Sequence, residues 1–375
     1  MDFCDQMSKS ELDTRLGIVC SVKKREIMPV AKKTRTISPP VSIAQVMHGG
    51  WAVRSLKTAV ELNLFAPLEE KALTAGELAE KLSVDEKGLG LLLDVLVGME
   101  ILHRLDLVPM SQLNAPTYAL SDTAGVYLLP KSPLYMGGYF KLQDELDRVW
   151  ANLTDVIKSG KPVMEVNQDH KAEEIFPKLA EAIFPLSYAI AVDAMEVIRE
   201  RMGDKGLAVL DLACGSGVWS IPLAQDNSRT RVDALDFPAV LEVTEKITRR
   251  FDVHDQYRHL PGNWRDVTLT EKYDVIVLGH ILHSEGFELS VDLLKTCFEA
   301  LNEGGILLIA EFFTNRSRTA PLYPLMFALN MFLATTSGCV FSRDELTAIC
   351  LDVGFSRVIK HSQVEYASPL LLAVK

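Results

Sequence analysis

Two clusters of residues in this chain have types and spacings suited to chemistry. The first is "VLDLACGSG" (Val209–Gly217), where an apolar run suited to a buried strand enters Gly215-Ser216-Gly217 and the helix-forming "VWSIPLAQ" follows. Glycines in such a turn let the backbone approach a ligand closely. The N-terminus of the following helix offers free N–H groups and positive potential to an anion. The third glycine of a dinucleotide fingerprint is absent, because Ser220 stands there. Asp236 closes the next apolar run, "RVDALDF", 21 residues after Gly215. A carboxylate there can accept both hydroxyls of a ribose. Alone it would read as a surface acid at a strand end; with the glycine loop it points to a nucleoside-containing ligand. The second cluster is the histidine pair of "GHILHSEG", placed just after the apolar run "YDVIVL". His280 and His283 are three residues apart and could share a helical face and hold a metal. No third ligand stands at a suitable spacing, so no metal is expected.

The elements that must position these residues alternate from Leu207 onward. "LAVLDLAC", "RVDALDF", "YDVIVLGHI" and "GILLIAEFF" are short apolar runs suited to buried parallel strands. Helical stretches such as Leu289–Leu301 lie between them, and "SRVIKHSQVEYASPLLLAVK" supplies two further strands. This pattern is an α/β domain, Rossmann-like and doubly wound, over residues 206–375. Such sheets place ligands outside the carboxyl ends of their strands, where both clusters fall.

Upstream the pattern differs. Residues 41–130 begin with helical periodicity at Val46, Val53, Leu56, Val60 and Leu64. "LTAGELAEKLSVD" reads as a helix capped by Thr74, with Glu77 completing a capping box. "DEKGLGLLLDVLVGMEILHRL" reads as a second helix burying Leu91, Leu92, Val95 and Leu96. "ILHRLDLV" and "TYALSDTAGVYLL" then read as a β-hairpin. Helix, turn, helix and wing make an α-rich winged-helix domain. Residues 131–205 read as a helical connector, with stop signals at Gly160 and Pro162, interruptions at two prolines and an end at Gly203.

Composition decides what the winged helix is for. The chain has 375 residues, 48% hydrophobic and 24% charged, with a net charge of -11, so most of it has material for a folded core. Residues 40–130 carry six Lys/Arg against eleven Asp/Glu. The second helix holds Asp94 and Glu100 where a DNA reader would place Arg, Lys, Asn or Gln. An acidic surface repels phosphates, so no nucleic acid is expected, and an apolar helical surface fits a subunit interface better. The 6 cysteines are scattered without a CxxC, which fits a reducing compartment rather than a disulfide framework. No unbroken apolar run reaches the roughly 18–20 residues of a membrane span; the nearest, Pro321–Thr336, contains Asn330. The expectation is a cytoplasmic protein without membrane contact. Residues 1–40 read as a disordered leader, with eight Lys/Arg and five Asp/Glu up to residue 36 and Met28 as an alternative start.

Taken together, Asp211-x-x-x-Gly215-x-Gly217, "LDFP" (Leu235–Pro238) and "GNW" (Gly262–Trp264) resemble class I S-adenosylmethionine-dependent methyltransferases. More narrowly, some 330 residues resemble the small-molecule O-methyltransferases of caffeic acid type and their bacterial relatives. "AVELNLF", "LTAGELAEKL" and "LLLDVLVGMEIL" resemble the dimerisation domain of that family, and Asn330-Met331 and "FSRDEL…GF" its C-terminal region. The resemblance implies a homodimer that binds S-adenosylmethionine and methylates a hydroxyl of a small aromatic substrate. It implies that Asp211 belongs to the cofactor site, that the Gly215–Gly217 loop faces the methionine part of the cofactor, Asp236 the ribose, and Asn263 and Trp264 the adenine. His283, not His280, matches the general base of the family, and Glu311, 28 residues later, its carboxylate neighbour. A phenol with pKa about 10 can give its proton to an imidazole near 6.5 as the oxygen attacks. The resemblance also implies an acceptor pocket drawing on Met326, Phe327 and Met331, with Phe184 and Tyr188 nearby, although such a stripe reads equally as core. Ser284-Glu285 replaces the Asp-Trp pair of the family, and Val340 its second Glu. These departures leave carbon or nitrogen methylation, or a non-methylating use of the same cofactor, as the alternative.

Overall fold

The computed structural model describes residues 41–105, 115–166, 169–361 and 368–375. The expected leader lies outside them, as does the expected wing turn between residues 105 and 115. The compact unit runs from Trp51 to Lys375.

Helix α1 (Val41–Glu61) precedes a small antiparallel sheet in the order β1 (Leu73–Thr74), β3 (Thr117–Leu120), β2 (Leu102–Leu105). Helices α2 (Ala75–Leu82) and α3 (Glu86–Gly98) lie between β1 and β2 in the chain. Thr74 caps α2 with the full capping box expected from the sequence, its hydroxyl taking the Glu77 N–H while Glu77 takes the Thr74 N–H. Asp85 caps α3 by accepting from the Gly88 N–H at 2.7 Å. Leu64, Phe65, Leu78, Leu93, Leu96 and Leu102 form the buried centre of this region.

Two expectations here are corrected. The buried stripe of α3 is Leu89, Leu93 and Leu96, whereas Leu91 is 64% and Val95 44% exposed. The sequence "LGLLLDVLVG" is apolar on every side, so two stripes fit the helical period and only packing against α2 and β2 selects one. The second hairpin strand also ends early, at Leu120. Ser121 accepts the Ala124 N–H at 3.2 Å and starts a helix, α4 (Asp122–Tyr127), where a continued strand was expected.

The connector is helical, with α5 (Gly137–Lys141), α6 (Gln143–Trp150) and α7 (Leu153–Ser159), the last ending at Gly160 in a left-handed conformation. Helix α8 (Asp169–Met202) then runs 34 residues through Pro177 and Pro185, which do not interrupt it. Each proline removes one N–H, but a buried stripe including Ala180, Phe184, Ala191 and Ile198 holds the helix against the sheet domain. By length and composition Lys171–Met202 is also apolar enough to cross a membrane. A search for unbroken apolar runs misses it, because a few charges punctuate it; its apolar stripe packs into the core.

The large sheet has the order β6-β5-β4-β7-β8-β10-β9. Its strands are β4 (Ala208–Leu212), β5 (Arg231–Asp236), β6 (Tyr257–Pro261), β7 (Tyr273–Gly279), β8 (Leu301–Ala310), β9 (Arg357–His361) and β10 (Leu370–Val374). The first five in chain order are parallel, and β10 pairs antiparallel with both β8 and β9. Alternate residues feed opposite cores: Leu210, Leu212, Ile276, Leu278 and Leu307 on one face, Val209, Val275, Val277, Ile306 and Leu308 on the other. The remaining helices are α9 (Ile221–Asp226), α10 (Pro238–Arg250), α11 (Leu282–Ala300), α12 (Leu322–Ala334) and α13 (Arg343–Val353). From β4 the chain builds outward to β5 and β6, then returns to place β7 on the other side. The carboxyl ends of β4 and β7 therefore flank a topological switch point, where open sheets bind ligands.

The selected stripe of α3 is testable. Leu93→Ala should cost about 2–5 kcal/mol, the range for large-to-small changes in a core. Lys87→Ala, at an exposed position of the same helix, should stay within about 0.5 kcal/mol. Urea denaturation of both variants, at equal protein concentration, measures the contrast.

Candidate active site

At the end of β4 the chain turns through Ala213 and Gly215, both left-handed, and Gly217 at φ 74°. A side chain at Gly217 would also press on the Thr244 methyl. The loop is pinned from α10, where the Thr244 hydroxyl donates to the Gly215 carbonyl at 2.7 Å. It is pinned from β5 by Asp236, whose Oδ2 accepts the Gly215 N–H at 2.8 Å and whose Oδ1 accepts the Phe237 N–H at 2.8 Å. Each Asp236 oxygen keeps a second lone pair. Burial pushes this carboxyl up to about 6, so further hydrogen-bond donors would stabilise its charged form.

Asp211 lies beneath the loop. Its Oδ2 accepts from the Ser220 hydroxyl, which also meets the Tyr257 hydroxyl at 2.8 Å. Oδ1 is buried with no partner. Burial raises Asp211 to about 7, with Asp236 contributing repulsion. A glycine loop, an acid at the next strand end and an orphaned buried carboxylate oxygen fit a ligand carrying hydroxyl and ammonium donors.

The loop after β6 carries Asn263 and Trp264. The Asn263 carbonyl oxygen accepts the Arg265 N–H at 3.1 Å. Trp264 packs against the sheet core, and its indole N–H is buried without a partner. Arg265 lies 5.5 Å from the Trp264 ring and forms an ion pair with buried Glu285. Sequence reasoning noticed Glu285 only as a departure from a family pattern. Its partner, 20 residues earlier on another loop, gave no local signal.

His283 stands in the first turn of α11, which begins seven residues earlier than the sequence reading placed its helix. The Nδ1 of His283 is 2.8 Å from Glu311 Oε2, and its backbone N–H donates to Glu311 Oε1 at 3.2 Å. The Phe312 N–H donates to the same carboxylate. Glu311 is 2% exposed. Burial works to raise its carboxyl, but the adjacent His283 charge and hydrogen bonds from the histidines outweigh it and hold the group well below the usual carboxylate range. Gly286, at φ 80° and ψ -178°, breaks the helix one turn later, and a Cβ there would overlap the Ser337 carbonyl. The Cys339 N–H donates to the His283 carbonyl at 2.8 Å, so the segment 335–340 clamps the histidine turn. Val340 is buried apolar, and no carboxylate replaces the missing family Glu there.

His280 is left-handed at φ 63°. Its Nε2 is 2.8 Å from the Ser368 hydroxyl and its Nδ1 3.8 Å from Glu311 Oε2. The fold therefore brings a third metal-competent group to the histidine pair, with donor atoms of all three within 4.8 Å. The 28-residue gap hid it, because β8 returns beside β7 only through sheet pairing.

The aromatic residues divide. Phe327 meets the His283 ring edge-on at 4.8 Å, and Phe312 lies 4.6 Å from Phe327 and 5.0 Å from Tyr323. Burial and the neighbouring Tyr139 raise Tyr323 to about 12. Met326 is on the same helix and 43% exposed, while Met331 is buried. Phe184 is fully buried, and the described ring contacts of Phe184 and Tyr188 are with each other and with Phe251, in the core under α8. They are not among the rings around His283. Phe312, beside Glu311, and Tyr323 were missed, although their adjacency to singled-out residues was the available signal. Asn330 accepts from the Trp150 indole at 3.0 Å, tying the connector to α12.

The sign of the Asp211 shift gives a pH dependence. Its folded value, about 7, lies above the unfolded carboxylate near 3.9. The stability contribution is therefore complete below pH ~4 and lost as pH rises through about 7. Without added ligand, the stability of the wild type relative to Asp211→Asn should rise by on the order of 2–4 kcal/mol between pH 8 and pH 5. Urea melts of both proteins at each pH check this; parallel curves would contradict it.

Comparison with known proteins agrees with this architecture. A family model described as the O-methyltransferase dimerisation domain matches residues 44–130, and one described as the O-methyltransferase domain matches residues 153–356. The tetracenomycin polyketide synthesis 8-O-methyl transferase TcmO of Streptomyces glaucescens is 27% identical over 329 residues, covering 85% of this chain and 92% of that protein. Among solved structures, human N-acetylserotonin methyltransferase in complex with SAM superposes with a TM-score of 0.73 at 18% identity, covering 91% of this chain and 99% of that one. An O-methyltransferase family protein from Burkholderia thailandensis superposes at 0.71 with 20% identity, covering 90% and 98%. With a family model spanning more than half of its length and the fold shared along nearly all of it, this chain belongs to the S-adenosylmethionine-dependent O-methyltransferases.

Proposed function

We propose that this enzyme methylates a hydroxyl of a small aromatic metabolite, with His283 as general base. The observation that carries the reading is the 2.8 Å bond between His283 Nδ1 and Glu311. A carboxylate on Nδ1 requires the proton there, which leaves Nε2 as the lone-pair nitrogen. Glu311, held ionised, then stabilises the imidazolium that forms when Nε2 takes the acceptor proton. The cofactor supplies a methyl on a positively charged sulfur whose departure is neutral. The chain has to bind it, hold the acceptor oxygen in line and remove one proton. Asp236 is assigned to the ribose hydroxyls, Asp211 and the Gly215–Gly217 loop to the methionine part, and Asn263 and Trp264 to the adenine. Phe327, Met326 and Met331, joined by Phe312 and Tyr323, are assigned to a flat acceptor. The name of the Streptomyces glaucescens relative supports an aromatic polyketide-like substrate class.

The acting species is proposed to be a homodimer formed through the N-terminal domain. Exposed Leu91 and Val95 on α3, one helical turn apart, support this. So does a cleft of about 430 Å³ between α1 and α3, lined among others by Arg54, Thr58, Leu89 and Leu92.

Two outcomes follow. His283→Ala should lower kcat by about 10²–10⁴, the range for a positioned general base, in assays with labelled cofactor and a panel of phenols. Mass spectrometry should find the methyl on oxygen. Near-wild-type turnover would remove the base from His283, and a methyl on carbon or nitrogen would favour the alternative chemistry. Separately, the double variant Leu91→Glu/Val95→Glu should sediment as a monomer where the wild type sediments as a dimer.

A further inference from the structure

We propose that His280, His283 and Glu311 form a zinc-class cation site whose occupation switches off the general base. The argument starts from His280. Its Nε2 lies 2.8 Å from the Ser368 hydroxyl; in the tautomer that donates Nε2–H to Ser368, the other ring nitrogen presents a lone pair. That nitrogen, Nδ1, is buried with no hydrogen-bond partner and lies 3.8 Å from Glu311 Oε2. In that tautomer two acceptors face each other in a buried place, an arrangement that a cation between them relieves. His283 brings a second imidazole nitrogen to the same oxygen at 2.8 Å.

The dimensions suit a small divalent ion. Metal arms of about 2.0–2.1 Å in tetrahedral geometry separate ligand atoms by roughly 3.3 Å. The observed 2.8 and 3.8 Å bracket that value. Binding needs the His283–Glu311 pair to open by about 0.5 Å and the wider pairs to close, from 3.8 Å at His280–Glu311 and from at most 4.8 Å between the histidines. Two imidazoles and one carboxylate favour Zn²⁺ over Mg²⁺ or Ca²⁺. Three protein ligands leave a fourth position open.

The consequence follows from the tautomer. Without metal, the His283 proton is on Nδ1, donated to Glu311, and Nε2 is basic. An ion bound to Nδ1 requires the lone pair there, so the proton moves to Nε2 of the same ring. No net proton is released by His283, but Nε2 can no longer accept one from a substrate. This functional half rests on His283 being the base; the binding half does not.

Cobalt(II) is the probe, since it takes zinc sites and reports its coordination in the visible spectrum. The full-length enzyme, freed of metal by chelator, is titrated with Co²⁺, and Zn²⁺ is then used to displace it. One equivalent should bind, with intense bands typical of low-coordinate cobalt. His280→Asn, a substitution that tolerates the left-handed backbone, should weaken binding at least about tenfold, with the turnover of each protein referred to its own metal-free rate. Zn²⁺ should inhibit the wild type reversibly, and His280→Asn only at correspondingly higher concentration. No saturable cobalt spectrum, or an unchanged one in His280→Asn, overturns the site. Stoichiometric binding lost in His280→Asn, with full activity when metal is bound, retains the site and overturns the base assignment to His283 instead.

Discussion

A carboxylate that is 2% exposed must be satisfied by the protein, and Glu311 is the group around which this site is arranged. Leaving such a charge unpaired would cost several kcal/mol. It is met by the His283 ring, the His283 N–H and the Phe312 N–H. Those donors come from two strands' ends. The pairing of Gly279 with Ala310 sets β7 and β8 in register, and the His280 N–H continues the ladder onto the Ala310 carbonyl. Glu311 is the next residue after that pair. A shift of one residue would turn it to the other face of the sheet. The position of the His283–Glu311 pair is therefore a property of sheet register, which the apolar cores on both faces fix.

The cofactor end repeats the logic with the opposite sign. Asp211 and Asp236 are raised to about 7 and about 6, chiefly by burial, because their partners are too few to offset it. Glu311 is buried too, yet it is depressed because histidines face it. One half of the site is thus complete within the protein. The other half keeps unsatisfied acceptors, a cost in stability that a ligand bearing donors can recover. Functional sites commonly hold such local violations while the surrounding core remains consistent.

Much of this was legible in the sequence. Strands buried on both faces announce themselves as unbroken apolar runs, so β4, β5, β7 and β8 stood out, and glycine spacing marked the loop after β4. Thr74 and Glu77 carried a complete capping box in four residues. What failed was wherever a local pattern admitted two solutions. In α3 apolar residues surround the helix, and the choice between Leu91 and Leu93 is made by neighbours distant in sequence. At Ser121 the competition between strand and N-cap was won by a serine hydroxyl. The Phe184–Tyr188 pair looked like a pocket wall because aromatic residues serve cores and pockets alike. The pairing of Glu311 with His283, 28 residues apart, came from the family resemblance, whereas that of Arg265 with Glu285, 20 residues apart, has no periodicity to encode it.

The departures from the family pattern form one structural change. The Asp-Trp pair expected after His283 is Ser284-Glu285, and Glu285 does not stand in for the missing acid. It is committed to Arg265, on the loop that carries Trp264. Its negative charge is compensated there and adds little field at the imidazole. Val340 supplies none. Among the described residues Glu311 is the carboxylate at the His283 ring, and it also lies beside His280. The histidine turn is tied to the Asn263–Trp264 loop by an ion pair between buried Glu285 and exposed Arg265. The chain has thus exchanged a second counter-charge at the proposed base for a link between the proposed adenine loop and the His283 turn. That link makes the orientation of His283 sensitive to whatever orders the loop around Trp264.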